Sequence, residues 1–418
     1  MNEAGPHTLA SLRARPNSLA AHYQAFRVGE RGLLTGHSHQ AWPDVARTGV
    51  VAAFDDAADL VDGKWSRAFA KAERVRAGYR RLLDDPDGHI TLCGNTHDAV
   101  VRFLSALPLE ARPRLLSTDG EFHTLRRQLD RLADGVPGIV VDRVPMAPTG
   151  SVCERLTAAL NQRPDATAAV LLSTVTFGGA ELVGGAPGLP GADAFTALQQ
   201  ACDRAGAALF LDVYHHLNVV PFSVQALGLH NAFITGGGYK YCQLGEGNGF
   251  LRFPRGSALR PIVTGWFAEF GLLPNASATG GTVVYLDGAD RFAGATYDPT
   301  SHYRGAAVFD FFAREGLDVS LLRSVSQHQV GRLARGFDAL GLDPHFIDRD
   351  RSLPDERRAG FLALRTAVAA RFVSELAARG IAVDARGETL RLGPAPYLCD
   401  DQLDAAIAAV GEVAREIG

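Results

Sequence analysis

The most informative segment of the chain is Asn231-Ala232-Phe233-Ile234-Thr235-Gly236-Gly237-Gly238-Tyr239-Lys240-Tyr241. It is an apolar strand that runs into three glycines, and a lysine follows where the strand ends. A second apolar strand lies upstream, Ala207-Ala208-Leu209-Phe210-Leu211-Asp212-Val213-Tyr214-His215-His216. Lysine is scarce, at three of 42 basic residues, so its position here is noticeable. The sequence therefore predicts a buried carboxylate, Asp212, and an amine, Lys240, at the ends of two strands.

A buried carboxylate after one strand and a lysine after the next suggest a site for pyridoxal 5'-phosphate. Lys240 would form the Schiff base, and Asp212 would pair with the pyridinium nitrogen. Desolvation would lower the pKa of the amine, and the three glycines would let backbone and cofactor approach closely. The competing interpretations are an exposed loop lysine at 240 and a helix cap or structural ion pair at 212.

Composition describes an ordinary globular chain of 418 residues, with 46% hydrophobic and 21% charged residues. The formal net charge of −4 shows no excess of positive charge, which argues against a nucleic-acid partner. No run of 18 apolar residues and no signal peptide is visible, so we expect no membrane association. The five cysteines are scattered without a CxxC pair or metal-ligand spacing, which predicts no metal and a reduced, cytoplasmic setting.

Strand and helix patterns alternate over some 200 residues, which predicts an α/β protein with a large, doubly wound, mostly parallel sheet. A helical pattern runs from Asp44 to Leu83, and Gly249–Phe253 looks like an antiparallel return strand. Long amphipathic helices and a smaller α+β unit follow. We predict an N-terminal segment at 1–45 that packs with the small domain, a large cofactor-binding domain at 46–300 and a small C-terminal domain at 301–418.

Two further polar segments follow strands of the predicted sheet. The turn Asn95-Thr96-His97 opens a helix, whose free N–H groups and positive dipole end would hold a phosphate; an ordinary N-cap is the alternative. Phe122 could stack on a pyridine face, although a phenylalanine in such a place often belongs to the core. Ligands of open α/β sheets bind at these carboxyl ends of the strands.

Two more residues complete the candidate site. His215 follows the carboxylate by three residues and could hydrogen-bond the cofactor ring or Asp212. Arg391 lies on a short strand between apolar neighbours, where its guanidinium fork would suit a substrate carboxylate. A structural ion pair is an equal alternative for this arginine.

The pattern Asp212-x-x-His215 with Tyr239-Lys240-Tyr241 resembles kynureninase, a fold-type I pyridoxal-phosphate enzyme of the class V aminotransferase group. The resemblance covers almost the whole chain. The other similar motifs, in chain order, are Gly36-His37-Ser38, Asn95-Thr96-His97, Phe122-x-Thr124, Gly265-Trp266-Phe267, Ala295-Thr296 and Leu390-Arg391-Leu392-Gly393-Pro394-Ala395-Pro396-Tyr397. Their shared order and spacing imply the fold-type I architecture and pyridoxal phosphate as cofactor.

The resemblance also implies roles for individual residues. Lys240, Tyr239 and Asp212 would be catalytic; Arg391, His37 and Ser38 would bind the substrate. The remaining cofactor contacts would come from Asn95, Thr96, His97, Phe122 and His215. The active sites would be shared across a homodimer, in which Trp266 and Thr296 reach the phosphate in the neighbouring subunit. The expected reaction is hydrolytic Cβ–Cγ cleavage of kynurenine or 3-hydroxykynurenine to an anthranilate and alanine.

Departures from the family's motifs leave the substrate open. Its Phe-Pro-Thr-Asp becomes Phe122-His123-Thr124-Leu125, and its Gly-Trp-Trp-Gly-His becomes Gly265-Trp266-Phe267-Ala268-Glu269. Another pyridoxal-phosphate reaction on a different amino acid is therefore an alternative, of the C–S lyase, desulfurase, epimerase or aminotransferase type. A desulfurase needs a cysteine on a mobile loop, for which Cys242 is too close to the lysine and Cys399 too late in the chain. A catalytically silent binding protein is a third hypothesis.

Overall fold

The computed structural model describes residues 6–184, 191–275 and 282–418. The helices are α1 (Leu9–Arg13), α2 (Val45–Leu60), α3 (Lys64–Leu82), α4 (Thr96–Ser105), α5 (His123–Gly135), α6 (Val152–Gln162), α7 (Ala192–Ala205), α8 (Thr300–Arg314), α9 (Val319–Ala339), α10 (Ala369–Ala378) and α11 (Asp400–Ile417). The strands are β1 (Gly32–Leu33), β2 (His89–Cys93), β3 (Arg114–Thr118), β4 (Val140–Val144), β5 (Thr167–Ser173), β6 (Ala208–Asp212), β7 (Phe233–Gly237), β8 (Gly249–Phe253), β9 (Leu362–Arg365), β10 (Ile381–Ala382), β11 (Asp384–Arg386) and β12 (Thr389–Leu392).

A seven-stranded sheet with the order β2-β8-β7-β6-β5-β3-β4 forms the centre of the protein. Only β8 runs antiparallel to its neighbours, β2 and β7, as its pattern predicted. Leu171 and Phe210 pack into one hydrophobic cluster, whereas Leu172 and Leu211 pack into another. Successive side chains of a strand point to opposite faces, so both faces of the sheet are covered. The predicted doubly wound α/β fold is confirmed.

The predicted helical pattern at Asp44–Leu83 forms two helices rather than a single one. The chain forms α2 and α3, separated by a 3₁₀ turn at Val61–Gly63. Val61 adopts a φ of 50°, a left-handed conformation that an α-helix cannot continue through and that a β-branched residue rarely adopts. The two helices therefore meet at a break that apolar periodicity alone does not reveal.

The N-terminal segment and the C-terminal region are joined by backbone pairing. Strand β1 pairs in parallel with β10, and the amide of Gly36 donates to the carbonyl of Gly393 over 2.7 Å. A Cβ at Gly36 would lie 2.7 Å from the carbonyl oxygen of Pro394, so only glycine permits this approach. The pairing brings the loop after β1 beside the three-stranded sheet β11-β12-β9. Within the described ranges, no helix is both long and apolar enough to cross a membrane.

Candidate active site

One cavity lies where the parallel strands end. Thr96 follows β2, Phe122 follows β3, Ser173 ends β5, Asp212 ends β6 and Lys240 follows β7, and all five line this cavity. The carboxyl ends of parallel strands share one edge of a sheet, which explains why residues far apart in sequence meet here. The structure thus brings together most of the residues that the sequence predicted for the cofactor.

Lys240 is a buried amine without a carboxylate partner among the described residues. Its side chain is only 6% exposed, and its Nζ lies 2.8 Å from Nε2 of His215. The amine also sits over the ring of Tyr214, 4.6 Å from its centroid. Burial lowers the pKa of Lys240 to about 7, although the charge of Asp212 acts in the opposite direction. A large fraction of the amine is therefore unprotonated near neutral pH, as a nucleophilic lysine requires.

The predicted purpose of the glycine triplet needs one correction. A Cβ at Gly238 would lie 2.6 Å from the Cβ of Leu244, and one at Gly237 would overlap the Tyr214 ring. The glycines therefore make room for the protein's own side chains. They still determine where Lys240 emerges, because this packing fixes the path of the chain after β7.

Asp212 and His215 provide the polar floor of the cavity. The Tyr214 amide donates to Oδ1 of Asp212 over 2.9 Å, and burial raises the pKa of that carboxyl. Burial, together with the Lys240 charge, lowers the pKa of His215 well below its ordinary value. Nδ1 of His215 is buried without a hydrogen-bond partner within the described structure. A ligand that offered a polar atom at this floor would satisfy it.

Aromatic side chains form the opposite wall of the cavity. The Lys240 Nζ lies 5.7 Å from the centroid of the Phe122 ring, which packs edge-on against Phe177 at 5.7 Å. Phe122 is also the N-cap residue of α5, so the start of that helix fixes its position. A flat ring entering the cavity would find an aromatic face on the side where the lysine points.

The turn before α4 has the form expected of an anion site. Asn95 is the N-cap, and its side chain accepts from the Asp98 amide over 3.1 Å. A Cβ at Gly249 would lie 2.7 Å from the Asn95 backbone, so β8 supports the turn closely. Thr96 lines the cavity, whereas His97 is exposed with its Nδ1 3.5 Å from Gln128. The helix N-terminus therefore faces the cavity, but His97 points elsewhere.

Arg391 lies behind the cavity-lining Phe177 and is already paired with a carboxylate. Its Nε and one terminal nitrogen donate to the two oxygens of Asp384, over 2.8 and 2.6 Å. Its other terminal nitrogen donates to the Phe177 carbonyl over 2.9 Å. The structural ion pair that the sequence left open for this arginine is present, and a substrate carboxylate would have to share the guanidinium with Asp384.

His37 belongs to the same cluster. It is fully buried, and its Nε2 lies 2.7 Å from Oδ1 of Asp384. Burial lowers the pKa of His37 to about 4. Burial alone would raise the pKa of the Asp384 carboxyl, but the hydrogen bonds from His37 and Arg391 hold it well below its ordinary value. The carboxylate is thus ionised, and it fixes both partners.

The remaining predicted site residues are more peripheral. Tyr239 lines the cavity, and its ring stacks on His39 at 4.8 Å. Ser38 has its hydroxyl 3.2 Å from Nδ1 of His39. Trp266 and Thr296 are exposed and do not line this cavity; Thr296 lines a separate one of about 760 Å³. Within the described part of a single chain, those two residues are not brought to Lys240.

Several residues of the site were missed at the sequence level. Tyr214, Ser173 and Phe177 line the cavity, and Asp384 holds Arg391. Glu121 lies behind Ser173, accepts a hydrogen bond from its hydroxyl over 2.5 Å, and has its pKa raised to about 7 by burial. A polar residue at each strand end was the available signal for Ser173 and Glu121. No local pattern marks Asp384.

The residues present fit pyridoxal phosphate. An amine of lowered pKa, the half-buried carboxylate of Asp212, an aromatic face and a helix N-terminus converge on one cavity. They match, in turn, the aldehyde, the pyridinium nitrogen, the ring and the phosphate of the cofactor. The unpartnered His215 Nδ1 is a further polar atom that such a ligand could engage.

Comparisons with known proteins support the same architecture. The sequence matches no protein-family model and no curated protein. Among solved structures, it is similar to the protein C-DES carrying glycine covalently linked to its pyridoxal phosphate, at 16% identity and a TM-score of 0.78, with 94% of this chain and 98% of that chain covered. C-DES is described in a second structure as a cystine C–S lyase in complex with its product cysteine persulfide, at 15% identity and a TM-score of 0.76, covering 93% of this chain and 99% of that chain.

A third similar structure is an apo cysteine desulfurase from Thermococcus onnurineus NA1, at 14% identity and a TM-score of 0.76, with 99% of this chain and 100% of that chain covered. The chain therefore has the fold of the fold-type I pyridoxal-phosphate enzymes. None of these three structures is a kynureninase, so the finer resemblance gains no support from them.

Proposed function

We propose that this protein is a pyridoxal-phosphate-dependent lyase that breaks the Cβ–S bond of a sulfur-containing amino acid. One observation carries the proposal: a buried Lys240 amine with a pKa lowered to about 7 lies in the cavity that Asp212 and Phe122 also line. The similar structures of a cystine C–S lyase and a cysteine desulfurase favour sulfur chemistry over the kynureninase reaction. Fold-level likeness supplies only this preference, because one fold hosts many reactions.

Bound pyridoxal phosphate would withdraw electrons from the substrate Cα, and the protein would supply positioning and proton transfer. The Lys240 amine would hold the cofactor and would also take the proton from the substrate Cα. The sulfur would leave Cβ as a thiolate or persulfide, and addition of water would release the rest of the substrate as a keto acid and ammonia. Asp212, ionised when it faces a pyridinium N–H, would keep the proton on the ring nitrogen. Phe122 would cover the ring and exclude water.

The cysteines favour a lyase over a desulfurase. A desulfurase needs a thiolate that accepts sulfur from the substrate, yet no cysteine is among the residues that line the Lys240 cavity in the described ranges. The nearest cysteine in sequence, Cys242, is buried, and burial raises the pKa of its thiol. Cys93 has its thiol 3.1 Å from the Asn95 carbonyl, and burial raises its pKa to about 12. We therefore propose that the sulfur leaves with the product, in a reducing cytoplasm where the five thiols stay free.

The assembly would be a homodimer with shared sites, as the fold-type I resemblance implies. Exposed apolar side chains support a covered surface: Phe54 is 74% exposed, Val61 71% and Ile262 85%. Trp65 contacts Phe267 at 6.4 Å, which links the α2–α3 break to the segment after Ile262. In a dimer, Trp266 and Thr296 would reach the partner's phosphate. Light scattering should give twice the chain mass, and a fully active monomer would contradict this assembly.

The decisive experiment is a product assay on the purified holoprotein. It is incubated separately with L-cystine, L-cysteine, kynurenine and 3-hydroxykynurenine, and pyruvate, ammonia, persulfide and anthranilates are measured. We expect pyruvate with persulfide from cystine, lost in Lys240→Ala and kept in the control Lys71→Ala, whose side chain lies on α3. Anthranilate without pyruvate would instead restore the kynureninase assignment. No reaction of any substrate despite a bound cofactor would overturn the lyase.

A further inference from the structure

Three potential metal ligands meet far from the Lys240 cavity. His7 precedes α1, His22 ends a 3₁₀ turn at Ala20–His22, and Glu315 follows α8. Their ligand atoms all lie within 4.8 Å of one another. Nε2 of His7 is 3.5 Å, and Nε2 of His22 is 3.9 Å, from the same Glu315 oxygen, Oε2. Two histidines near the start of the chain and a glutamate late in the chain thus bring their ligand atoms together.

The His7 imidazole shows that this point lacks a partner. The residue is only 8% exposed, and its Nε2 is buried without a hydrogen bond within the described structure. Its Nδ1 lies 2.7 Å from the Ser18 hydroxyl, which in turn donates to the Ser11 hydroxyl over 3.0 Å. With Nδ1 carrying the proton towards Ser18, Nε2 presents its lone pair to the cluster. A buried lone pair with no donor is costly, and a cation would satisfy it.

We propose that His7, His22 and Glu315 form a binding site for a divalent transition-metal ion of the Zn²⁺ class. Bonds of about 2.0–2.2 Å in a tetrahedron place ligand atoms about 3.4 Å apart, close to the 3.5 and 3.9 Å seen here. Two imidazoles and one carboxylate suit Zn²⁺ and do not suit the oxygen-seeking Mg²⁺ or Ca²⁺. The His22 side chain is 38% exposed, so a water molecule can take the fourth position.

An ordinary ion pair explains the cluster less well. A protonated His7 would be expected within hydrogen-bonding distance of the carboxylate, yet 3.5 Å separates the atoms and no hydrogen bond forms. Arg314 contacts the other Glu315 oxygen, Oε1, at 3.3 Å, which neutralises the carboxylate in part and leaves Oε2 directed at the two imidazoles. An ion placed between the two imidazole nitrogens and this oxygen would be bound by all three atoms, which lie within 4.8 Å of one another.

Such an ion would fasten the N-terminal segment to α8. Tyr23, next to His22, donates its hydroxyl to the side chain of Gln243, which lies three residues after Lys240. The Gln243 amide in turn donates to the Gln40 side chain over 2.8 Å, in the loop that carries His37. The expected role is structural: the ion anchors the segment whose His39 stacks on Tyr239 of the candidate active site.

The test uses the tag-free full chain after chelator treatment. Zn²⁺ binding is titrated against a chromophoric chelator, and Co²⁺ is added separately to record its visible absorption. We expect one tight Zn²⁺ per chain, a tetrahedral Co²⁺ spectrum and a higher melting temperature with Zn²⁺, since a ligand of the folded state stabilises it. Affinity should fall more than about 10-fold in each of His7→Gln, His22→Gln and Glu315→Gln.

Two controls separate this site from other binding. His345→Gln removes an exposed imidazole elsewhere and should bind Zn²⁺ as the unmodified protein does, and Lys240→Ala should also keep the site. His22 and Glu315 reach solvent, so their variants remain informative if His7→Gln fails to fold. Unchanged Zn²⁺ affinity in those variants, or no tight Zn²⁺ in the unmodified protein, would refute the site.

Discussion

Two buried basic residues lie in or beside the candidate active site, and they differ in their hydrogen-bond and ion-pair partners. Lys240 and Arg391 are 6% and 4% exposed. Among the residues that the structure describes, Lys240 has no ion-pair partner and contacts the neutral His215, whereas Arg391 holds both oxygens of Asp384. A buried cation without a counter-ion loses its proton readily, while a paired one stays charged and rigid. Lys240 can therefore lose its proton near neutral pH, whereas Arg391 stays charged and fixed in position.

The largest effect on activity should come from replacing Lys240. Lys240→Ala should lower product formation about 10³-fold or more, because the residue that would attach the cofactor and move the Cα proton is lost. The absorbance of covalently attached cofactor should disappear as well. The matched control is Lys71→Ala, which should keep both. An unchanged spectrum in Lys240→Ala would show that Lys240 does not bind the cofactor covalently. Lys240 would then differ from Arg391 only in lacking an ion pair among the described residues.

Asp212→Asn should have the next largest effect. An amide cannot hold a proton on the pyridine nitrogen as a carboxylate does, so turnover should fall about 10²-fold while the cofactor stays bound. Steady-state kinetics should show the loss in kcat more than in KM. The surface substitution Asp134→Asn, at a side chain that is 80% exposed, is the control. Equal activity of Asp212→Asn and the unmodified protein would mean that the carboxylate only caps the Tyr214 amide.

Asp384→Asn tests the ion pair between Asp384 and Arg391. If Asp384 competes with the substrate carboxylate for Arg391, then neutralising it should tighten L-alanine binding about 10-fold relative to L-alaninamide, because one set of charge-assisted hydrogen bonds becomes free. The asparagine oxygen can still accept from His37. Binding is read from the absorbance of the bound cofactor, corrected for the fraction of free amine. Weaker L-alanine binding in the variant would show instead that Asp384 orients the arginine for that carboxylate.

The same contrast explains what could be predicted from the sequence. The strands that end at Asp212 and shortly before Lys240 are local patterns of apolar residues, so their positions and the shared edge of the sheet follow from periodicity and topology. The Asp384–Arg391 pair depends on the register of β11 against β12, where the two residues face each other. Strand β11 has only three residues, and no sequence pattern predicted it. The proposed metal site could not be predicted for a similar reason, since spacing rules cannot join His7 to Glu315.

The smallest predicted effect is a change in melting temperature that shows whether Lys240 is neutral or charged. In the folded protein without cofactor, burial lowers the pKa of Lys240 to about 7, against an ordinary value of 10.5 in the unfolded chain. Between these two pKa values the unfolded chain binds one more proton than the folded one, so this group makes folding less favourable at neutral pH. This loss of stability decreases as the pH rises towards 10.

Lys240→Met should therefore raise the melting temperature of the cofactor-free protein by about 5 °C at pH 7 and by much less at pH 9.5. Lys71→Met, on the half-exposed side of α3, should show no such dependence. A destabilised Lys240→Met at pH 7 would mean that the amine is charged and paired with Asp212, and the two cations of this site would then be alike.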